Sequence, residues 1–227
     1  MQHDRRVLWH LKRIPLFRGL PVEEHARIAP EVTLEEHRRR RVIYMPGDPG
    51  DCLYVVNSGQ IKISRVTPDG KALTLAYRSS GEPFGELCIL DASPREEMAE
   101  VVETALVTRI PRDVVQDLVK QHLVTSNEMV QTLALSRRSL ERKMEDLVFK
   151  DVNAKLAELL LDLSAGTDDE ELASVPVKMT HQEMANLIGS TRETVSLTLS
   201  QFKRKKLIQT HSRKVLVTDA EGLRALT

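Results

Sequence analysis

"MTHQEMANLIGSTRETVSLTLSQFKRKKLIQ", residues 179–209, holds two helix beginnings a short distance apart. Thr180 is followed three residues later by Glu183, and Ser190 by Glu193. Each pair fits a capping box: the hydroxyl accepts from the backbone N–H three residues on, and the carboxylate reaches back to the first N–H. The spacing predicts helices from about 181 and about 191. Gly189 falls between them, where glycine closes a helix by turning left-handed without a Cβ clash. Two helices joined by so short a turn make a helix-turn-helix. Met184, Ala185 and Ile188 share one face of the first helix. Val195, Leu199 and Phe202 share one face of the second, so the two stripes should pack together. Arg192, Glu193, Ser196, Leu197 and Ser200 are left facing elsewhere. "LIQTHSRKVLVTD", residues 207–219, then reads as a hairpin wing.

Charge points the same way. The 227-residue chain carries 33 basic and 33 acidic residues, a net charge of +0, so no global field announces a nucleic-acid partner. From Lys178 to Lys214, however, eight basic residues stand against two acidic ones, a local net of +6. A basic segment with helix-turn-helix spacing is the signature of double-stranded DNA binding. Phosphate contacts fall to the helix N-termini and to His181, Gln182, Lys203, His211 and Arg213. The start of the second helix, with Thr191, Arg192, Glu193, Thr194, Ser196 and Leu197, faces the bases. Arg192 can bond a guanine edge bidentately, and Glu193 can accept from cytosine. Glu193 also has a competing role in the capping box, and both readings stay open.

Upstream, residues 125–150 contain neither proline nor glycine. Met129, Leu133, Leu140 and Leu147 recur in steps of four and seven, with Ser136 and Lys143 at the intervening positions. This is a broken heptad seam. It belongs either to a helix packed on its own domain or to a two-helix dimer interface. The charged opposite face (Arg137, Arg138, Glu141, Arg142, Glu145) favours the dimer. A second helix, about 151–164, leads into the acidic stretch "SAGTDDEELASVP", a loop or linker.

From about 32 to 110 the pattern is strand and turn. "CLYVVNSGQIKISRV" is two β-rich runs around Asn57-Ser58-Gly59, and Pro68-Asp69-Gly70 is a turn in which proline presets φ and glycine accepts a positive one. Short strands at regular spacing predict a sandwich or barrel. Residues 4–30 read as short helices punctuated by Pro15, Pro21 and Pro30, and Pro111 stands at a first helical position. Two cysteines, Cys52 and Cys88, provide no disulfide framework and suit a reducing, cytoplasmic setting. No segment has the apolar length of a signal peptide core or a membrane span, so no membrane partner is expected. A rival class is a small-molecule-binding or enzymatic module with an appended winged helix. No Ser/His/Asp order, metal-ligand spacing or phosphate loop stands out to support it, and the chain is not read as an enzyme.

Taken in order, "PGDPGDCLYVVNSGQIKI", "FGEL", "AEVVETALVTRIPR", the long helix and "MTHQEMANLIGSTRETVSLTL" resemble the family of the cyclic-AMP receptor protein and the fumarate–nitrate regulator (CRP/FNR) over nearly the full length. The resemblance implies an α+β fold. An N-terminal β-roll sensor (a double-stranded β-helix of the cyclic-nucleotide-binding kind) would span 1–122, a dimerisation helix 123–150 and a winged helix-turn-helix 151–227. It implies a homodimer regulating transcription at palindromic sites, with the acidic loop 167–172 lying where relatives touch RNA polymerase.

The same resemblance frames "FGELCILDASPREEMAEVV", residues 84–102. In cyclic-AMP-binding relatives the Gly-Glu pair holds the sugar and an Arg-Ser pair holds the phosphate. Gly85, Glu86 and Leu87 match, and Arg95 falls near the phosphate position. The serine is replaced by Glu96, followed by Glu97. A carboxylate there repels a phosphodiester and removes a hydroxyl donor. The adenine-holding hydroxyls of the long helix correspond to about Leu140 and Glu141, neither of which is a hydroxyl. The expectation is therefore an effector other than cyclic AMP, or none; the alternative is a regulator responding to a cyclic nucleotide or dinucleotide. No N-terminal cysteine cluster is present for an iron–sulfur group. Haem on Cys88 or a histidine, and a redox role for Cys88 in place of a small buried hydrophobe, are weaker readings. The run Arg38–Arg41 is either a phosphate grip or a solvated strand edge. No cofactor is predicted, and the effector is left unidentified.

Overall fold

The structure is a computed structural model and describes residues 2–164, 179–211 and 214–227. The chain divides into two compact units, Met1–Arg138 and Ser139–Thr227. The first opens with helices α1 (Gln2–Leu11) and α2 (Val22–Ile28), separated by a 3-10 turn at Pro15–Phe17 and followed by another at Ala29–Glu31. Prolines stand at the start of each turn, as their fixed φ favours.

Six strands follow: β1 (Thr33–His37), β2 (Val42–Tyr44), β3 (Cys52–Val66), β4 (Ala72–Arg78), β5 (Pro83–Phe84) and β6 (Met98–Pro111). They form one antiparallel sheet in the order β1-β6-β3-β4, with β2 also on β6 and β5 also on β3. Helix α3 (Leu87–Asp91) sits between β5 and β6, and α4 (Arg112–Gln121) follows. Pro111 ends β6 and is the N-cap of α4, one position before its first helical residue Arg112 and not at that first position as expected.

The two β-rich runs around Asn57-Ser58-Gly59 are one continuous strand, β3, not two strands joined by a turn. The pairing of β3 with β6 shifts register between Val56 and Ile61, and the bulge bends the strand. Gly59 has φ +83, and a Cβ there would meet the backbone of Thr104 and Ala105, so the partner strand occupies the room a side chain would need. Alternation along β3 then explains its two-sided burial. Leu53 and Val55 face a core shared with α1, α4 and the start of the next helix, while Cys52, Tyr54 and Val56 face the interior of the roll. Tyr44, Tyr54 and Phe84 stack in that interior, with centroids 5.1–6.1 Å apart. Arg38–Arg41 is an exposed turn between β1 and β2, where Arg40 has φ +70, rather than a strand edge.

Helix α5 (Leu123–Phe149) runs the expected length. Its first half belongs to the sensor core: Met129 is 2% exposed, and Leu133 packs against the same cluster. Ser136 accepts from the Arg78 guanidinium at 3.1 Å. These three seam positions therefore meet their own unit in the single chain. Farther along, Leu140, Met144 and Val148 are exposed in steps of four, while Leu147 is half-buried. Lys143 is partly buried, and desolvation holds its ammonium below the usual lysine range.

In the second unit, α6 (Val152–Ser164) is capped by Asp151, whose carboxylate accepts from the Ala154 N–H at 2.8 Å. Helices α7 (His181–Ile188) and α8 (Arg192–Arg204), the hairpin β7 (Ile208–His211) and β8 (Lys214–Val217), and α9 (Ala220–Arg224) complete it. Leu156, Leu160, Met184, Ile188, Leu199, Phe202, Val215 and Leu223 are among the side chains of its own hydrophobic core. The acidic stretch 165–178 lies outside the described residues. No described helix is long and apolar enough to cross a membrane.

Candidate nucleic-acid interface and effector cleft

The first capping box forms as the spacing predicts. The Thr180 hydroxyl accepts from the Glu183 N–H at 3.2 Å, and the Glu183 carboxylate accepts from the Thr180 N–H at 2.6 Å. Gly189 closes α7 in the left-handed region, φ 64 and ψ 45. The second cap differs by one residue. Thr191, not Ser190, is the N-cap of α8, accepting from the Thr194 N–H at 3.2 Å. Glu193 is consequently the second helical residue and no capping partner. Its carboxylate has no hydrogen bond or ion pair among the described residues and is free to reach out of the protein.

The inner stripe of α8 is buried as predicted: Val195 0%, Leu199 4%, Phe202 1% exposed, with Thr198 beside them. Packing against Met184, Ala185 and Ile188 of α7 orients the opposite face outward. On that face Arg192, Glu193 and Leu197 are exposed, Leu197 at 67%. The Arg192 side chain has no partner among the described residues. Ser196 is half-buried because it is engaged: its hydroxyl donates to the Arg192 carbonyl at 2.8 Å and meets His181 Nδ1 at 2.7 Å. The His181–Ser196 contact joins the start of α7 to the middle of α8, and sequence spacing does not reveal it. Gln182 donates to the Asn186 side chain at 2.8 Å, so it is partly engaged along its own helix. Lys203 reaches Thr210 of β7 at 3.4 Å. His211 ends β7, opposite Lys214 of β8; its side chain and all of Arg213 lie outside the described residues. Thr191, Arg192, Glu193, Thr194, Ser196 and Leu197 thus come together at one helix start, with His181 alongside.

In the first unit, Gly85, Glu86, Leu87 and Arg95 do meet, around a cleft of about 120 Å³. Their roles differ from the expected anion cradle. Arg95 is 3% exposed, and its guanidinium turns inward. It donates to the Gly85 carbonyl at 2.7 Å and to the Cys52 carbonyl, and lies 4.5 Å over the Tyr44 ring. Gly85 has φ +75, and a Cβ there would collide with that guanidinium, so glycine at 85 and arginine at 95 seat one another. Glu86 is nearly buried, 4.0 Å from Arg78. Glu96 points out to pair with Arg65. Glu97 lines the cleft, and burial, then the Glu86 carboxylate, raises its pKa above the usual carboxylate range. Tyr44 is the site residue that sequence reasoning missed, because it comes from a strand some fifty residues upstream. Burial raises its phenol pKa, and its hydroxyl has no partner among the described residues. Leu140 and Glu141 lie beyond Arg138 in the second unit, so the cleft as described within the first unit is lined without them. Cys88 is buried, its thiol 3.5 Å from the Pro94 carbonyl. Burial raises the Cys52 pKa, which disfavours a thiolate at Cys52.

A β-roll with a cyclic-nucleotide-type cleft and a winged helix-turn-helix define a sequence-specific DNA-binding transcription regulator. Residues 34–122 match the cyclic nucleotide-binding domain, and residues 154–226 match the Crp-like helix-turn-helix domain. The chain is 30% identical over 215 residues to the CRP-like cAMP-activated global transcriptional regulator of Mycobacterium tuberculosis, covering 94% of this chain and 96% of that one. A solved CRP/FNR-family transcriptional regulator from Thermus thermophilus shares 28% identity over 86% of this chain and 97% of its own, with a TM-score of 0.70. The fold is also that of a crp/fnr-family regulator from Eubacterium rectale, at 20% identity and a TM-score of 0.82, covering 95% of this chain and 98% of that one. The chain belongs to the CRP/FNR family of bacterial transcription regulators.

Proposed function

We propose that this regulator works as a homodimer on palindromic DNA, and that its effector is a ligand other than cyclic AMP or is absent altogether. The sensor would occupy 1–122, the dimer helix 123–150 and the DNA-binding domain 151–227, in a cytoplasmic protein that also meets RNA polymerase. The exposed stripe of Leu140, Met144 and Val148 supports pairing of the long helix with its copy. In a two-fold dimer the recognition helices would fall one DNA turn apart, about 34 Å.

The observation that carries the effector reading is the inward Arg95. A cyclic nucleotide needs a guanidinium aimed at its phosphate; this one is bonded to two backbone carbonyls and covered by Tyr44. The cleft then presents Glu86 and Glu97, which repel an anion. Its volume of about 120 Å³ is also below the roughly 300 Å³ at which small-molecule pockets begin. The cAMP-activated relative in M. tuberculosis and the matching Gly85-Glu86-Leu87 favour a second reading, a cyclic-nucleotide response. Titration calorimetry separates the two: the first predicts no low-micromolar cyclic-AMP binding, and finding it would establish the second.

For the DNA, Arg192 at the first helical position reads a guanine and Glu193 accepts from cytosine. Cyclic-AMP receptor relatives have a second base-reading arginine one turn later, where this chain has Leu197. Leu197 offers only a methyl-sized contact, suited to a thymine. Binding selection on random duplexes should return a half-site that keeps one G·C pair and relaxes one step away, and Leu197→Arg should add a guanine preference there. Selection of the same motif by wild type and Leu197→Arg would refute the assignment.

A further inference from the structure

The sensor unit contains another concavity, between α1 with its following turn and the β3–β5 region. It has a volume of about 360 Å³, three times that of the cassette cleft and within the range of small-molecule sites. Its lining includes Trp9, His10, Arg13, Arg18 and Ser80 and no carboxylate. Trp9 is 54% exposed, an unusual position for the chain's single tryptophan. Arg13 lies 3.9 Å over its ring, and His10 meets the ring edge-on at 4.7 Å. Neither Arg13 nor Arg18 has an acidic partner among the described residues. Burial, then the Arg6 charge and less so Arg13, lower the His10 pKa, against a hydrogen bond donated to Asn57 that raises it. Ser80 donates to the Asn57 carbonyl at 2.9 Å, which places a hydroxyl oxygen at the rim as a further polar contact.

The two hollows of the same unit thus have opposite chemistry. The cassette cleft is acid-lined with its arginine turned inward; this groove is arginine-lined with an aromatic ring open to solvent. A guanidinium pair suits a phosphate, whose oxygens accept paired N–H bonds. An exposed indole flanked by arginine suits a planar base, which stacks on aromatic and guanidinium faces alike. We propose that the groove formed by Trp9, Arg13 and Arg18 binds a nucleoside monophosphate, its base against Trp9 and its phosphate on the two arginines. The proposal is independent of what the cassette binds.

Trp9 supplies the readout, because no second tryptophan contributes to the fluorescence. The full-length protein is titrated with AMP, adenosine, inorganic phosphate and benzoate. AMP should change the Trp9 emission saturably below about 1 mM. Adenosine and phosphate should each bind at least about tenfold more weakly, since each lacks one half of the recognition. R13Q and R18Q should each weaken AMP by at least about tenfold at unchanged melting temperature, both being exposed side chains. W9F, followed by calorimetry, should weaken AMP as well. The absence of saturable binding below about 1 mM overturns the proposal. So does AMP binding that survives R13Q and R18Q, which would put the ligand elsewhere. Adenosine binding as tightly as AMP removes the role of the arginines, and phosphate or benzoate binding as tightly removes the nucleotide; each outcome also overturns it. The four ligands decide the matter on the wild type alone should a variant fold poorly.

Discussion

Arg95 in the sensor and Arg192 at the start of the recognition helix are both placed by local sequence where a ligand phosphate or base is expected, and the fold treats them oppositely. Arg95 is 3% exposed and holds the carbonyls of Gly85 and Cys52 together. Arg192 stands exposed at the first position of α8, with no side-chain partner among the described residues. One guanidinium has become part of a core, the other remains available for a partner. The difference follows from what surrounds each. Inside the roll, two carbonyls take the terminal guanidinium nitrogens and an aromatic ring lies over the group, while Nε has no partner among the described residues. At the helix start no side chain among the described residues pairs with the Arg192 guanidinium, which stays exposed.

The contrast predicts separable effects, the largest in the sensor. Arg95→Ala leaves two carbonyls without their donor and a void against Tyr44, and should cost about 2–5 kcal/mol of unfolding free energy in denaturant titration. A change within error would mean that the guanidinium is not structural. Gly85→Ala attacks the same contact from the other side. It forces a side chain into φ +75 and against the guanidinium, for about 1–3 kcal/mol in the same assay.

Arg192→Ala should alter stability by less than about 0.5 kcal/mol. It should nonetheless reduce discrimination between a selected and a scrambled duplex by about 1–3 kcal/mol. Non-specific binding should survive with its salt dependence, because Lys203 and the helix ends still meet phosphates. An unchanged selectivity ratio would end the comparison between the two arginines.

The smallest effect concerns Glu97. Its folded pKa is raised by burial and by Glu86. The folded state therefore holds this proton more tightly than the unfolded chain does. That contribution is full below the unfolded pKa and is lost as pH rises through the folded one. Glu97→Gln should raise the melting temperature at pH 8 and change it little at pH 4. An equal shift at both values would show that ionisation at Glu97 is not the cause.

The DNA-reading helix was legible almost residue by residue, since its signals are local. Caps, a closing glycine and an apolar stripe each act within a turn or two. Even the misplaced cap, Ser190 for Thr191, is a slip between adjacent hydroxyls, either of which can serve. The sensor was legible as a frame only. Nothing in "NSG" distinguishes a turn from a bulge in a continuing strand; the close approach of Thr104 and Ala105 decides that. The heptad seam carried a similar ambiguity: Met129 fits a dimer interface by period, yet the sensor core takes it first.

By itself, the sequence determined the order of sensor, long helix and winged helix-turn-helix, the first capping box and the buried face of the recognition helix. These are matters of residue type and spacing along one stretch of chain. Tertiary structure alone decided that Arg95 faces inward, that Tyr44 joins the cleft, and that Trp9, Arg13 and Arg18 share a groove with Ser80. Arg95 and Cys52, Tyr44 and Gly85, and Trp9 and Ser80 each lie about forty or more residues apart. A side chain's charge is available to a ligand only if burial has not already matched it with carbonyls or rings. That matching depends on which strands pack against which, and no local pattern encodes it.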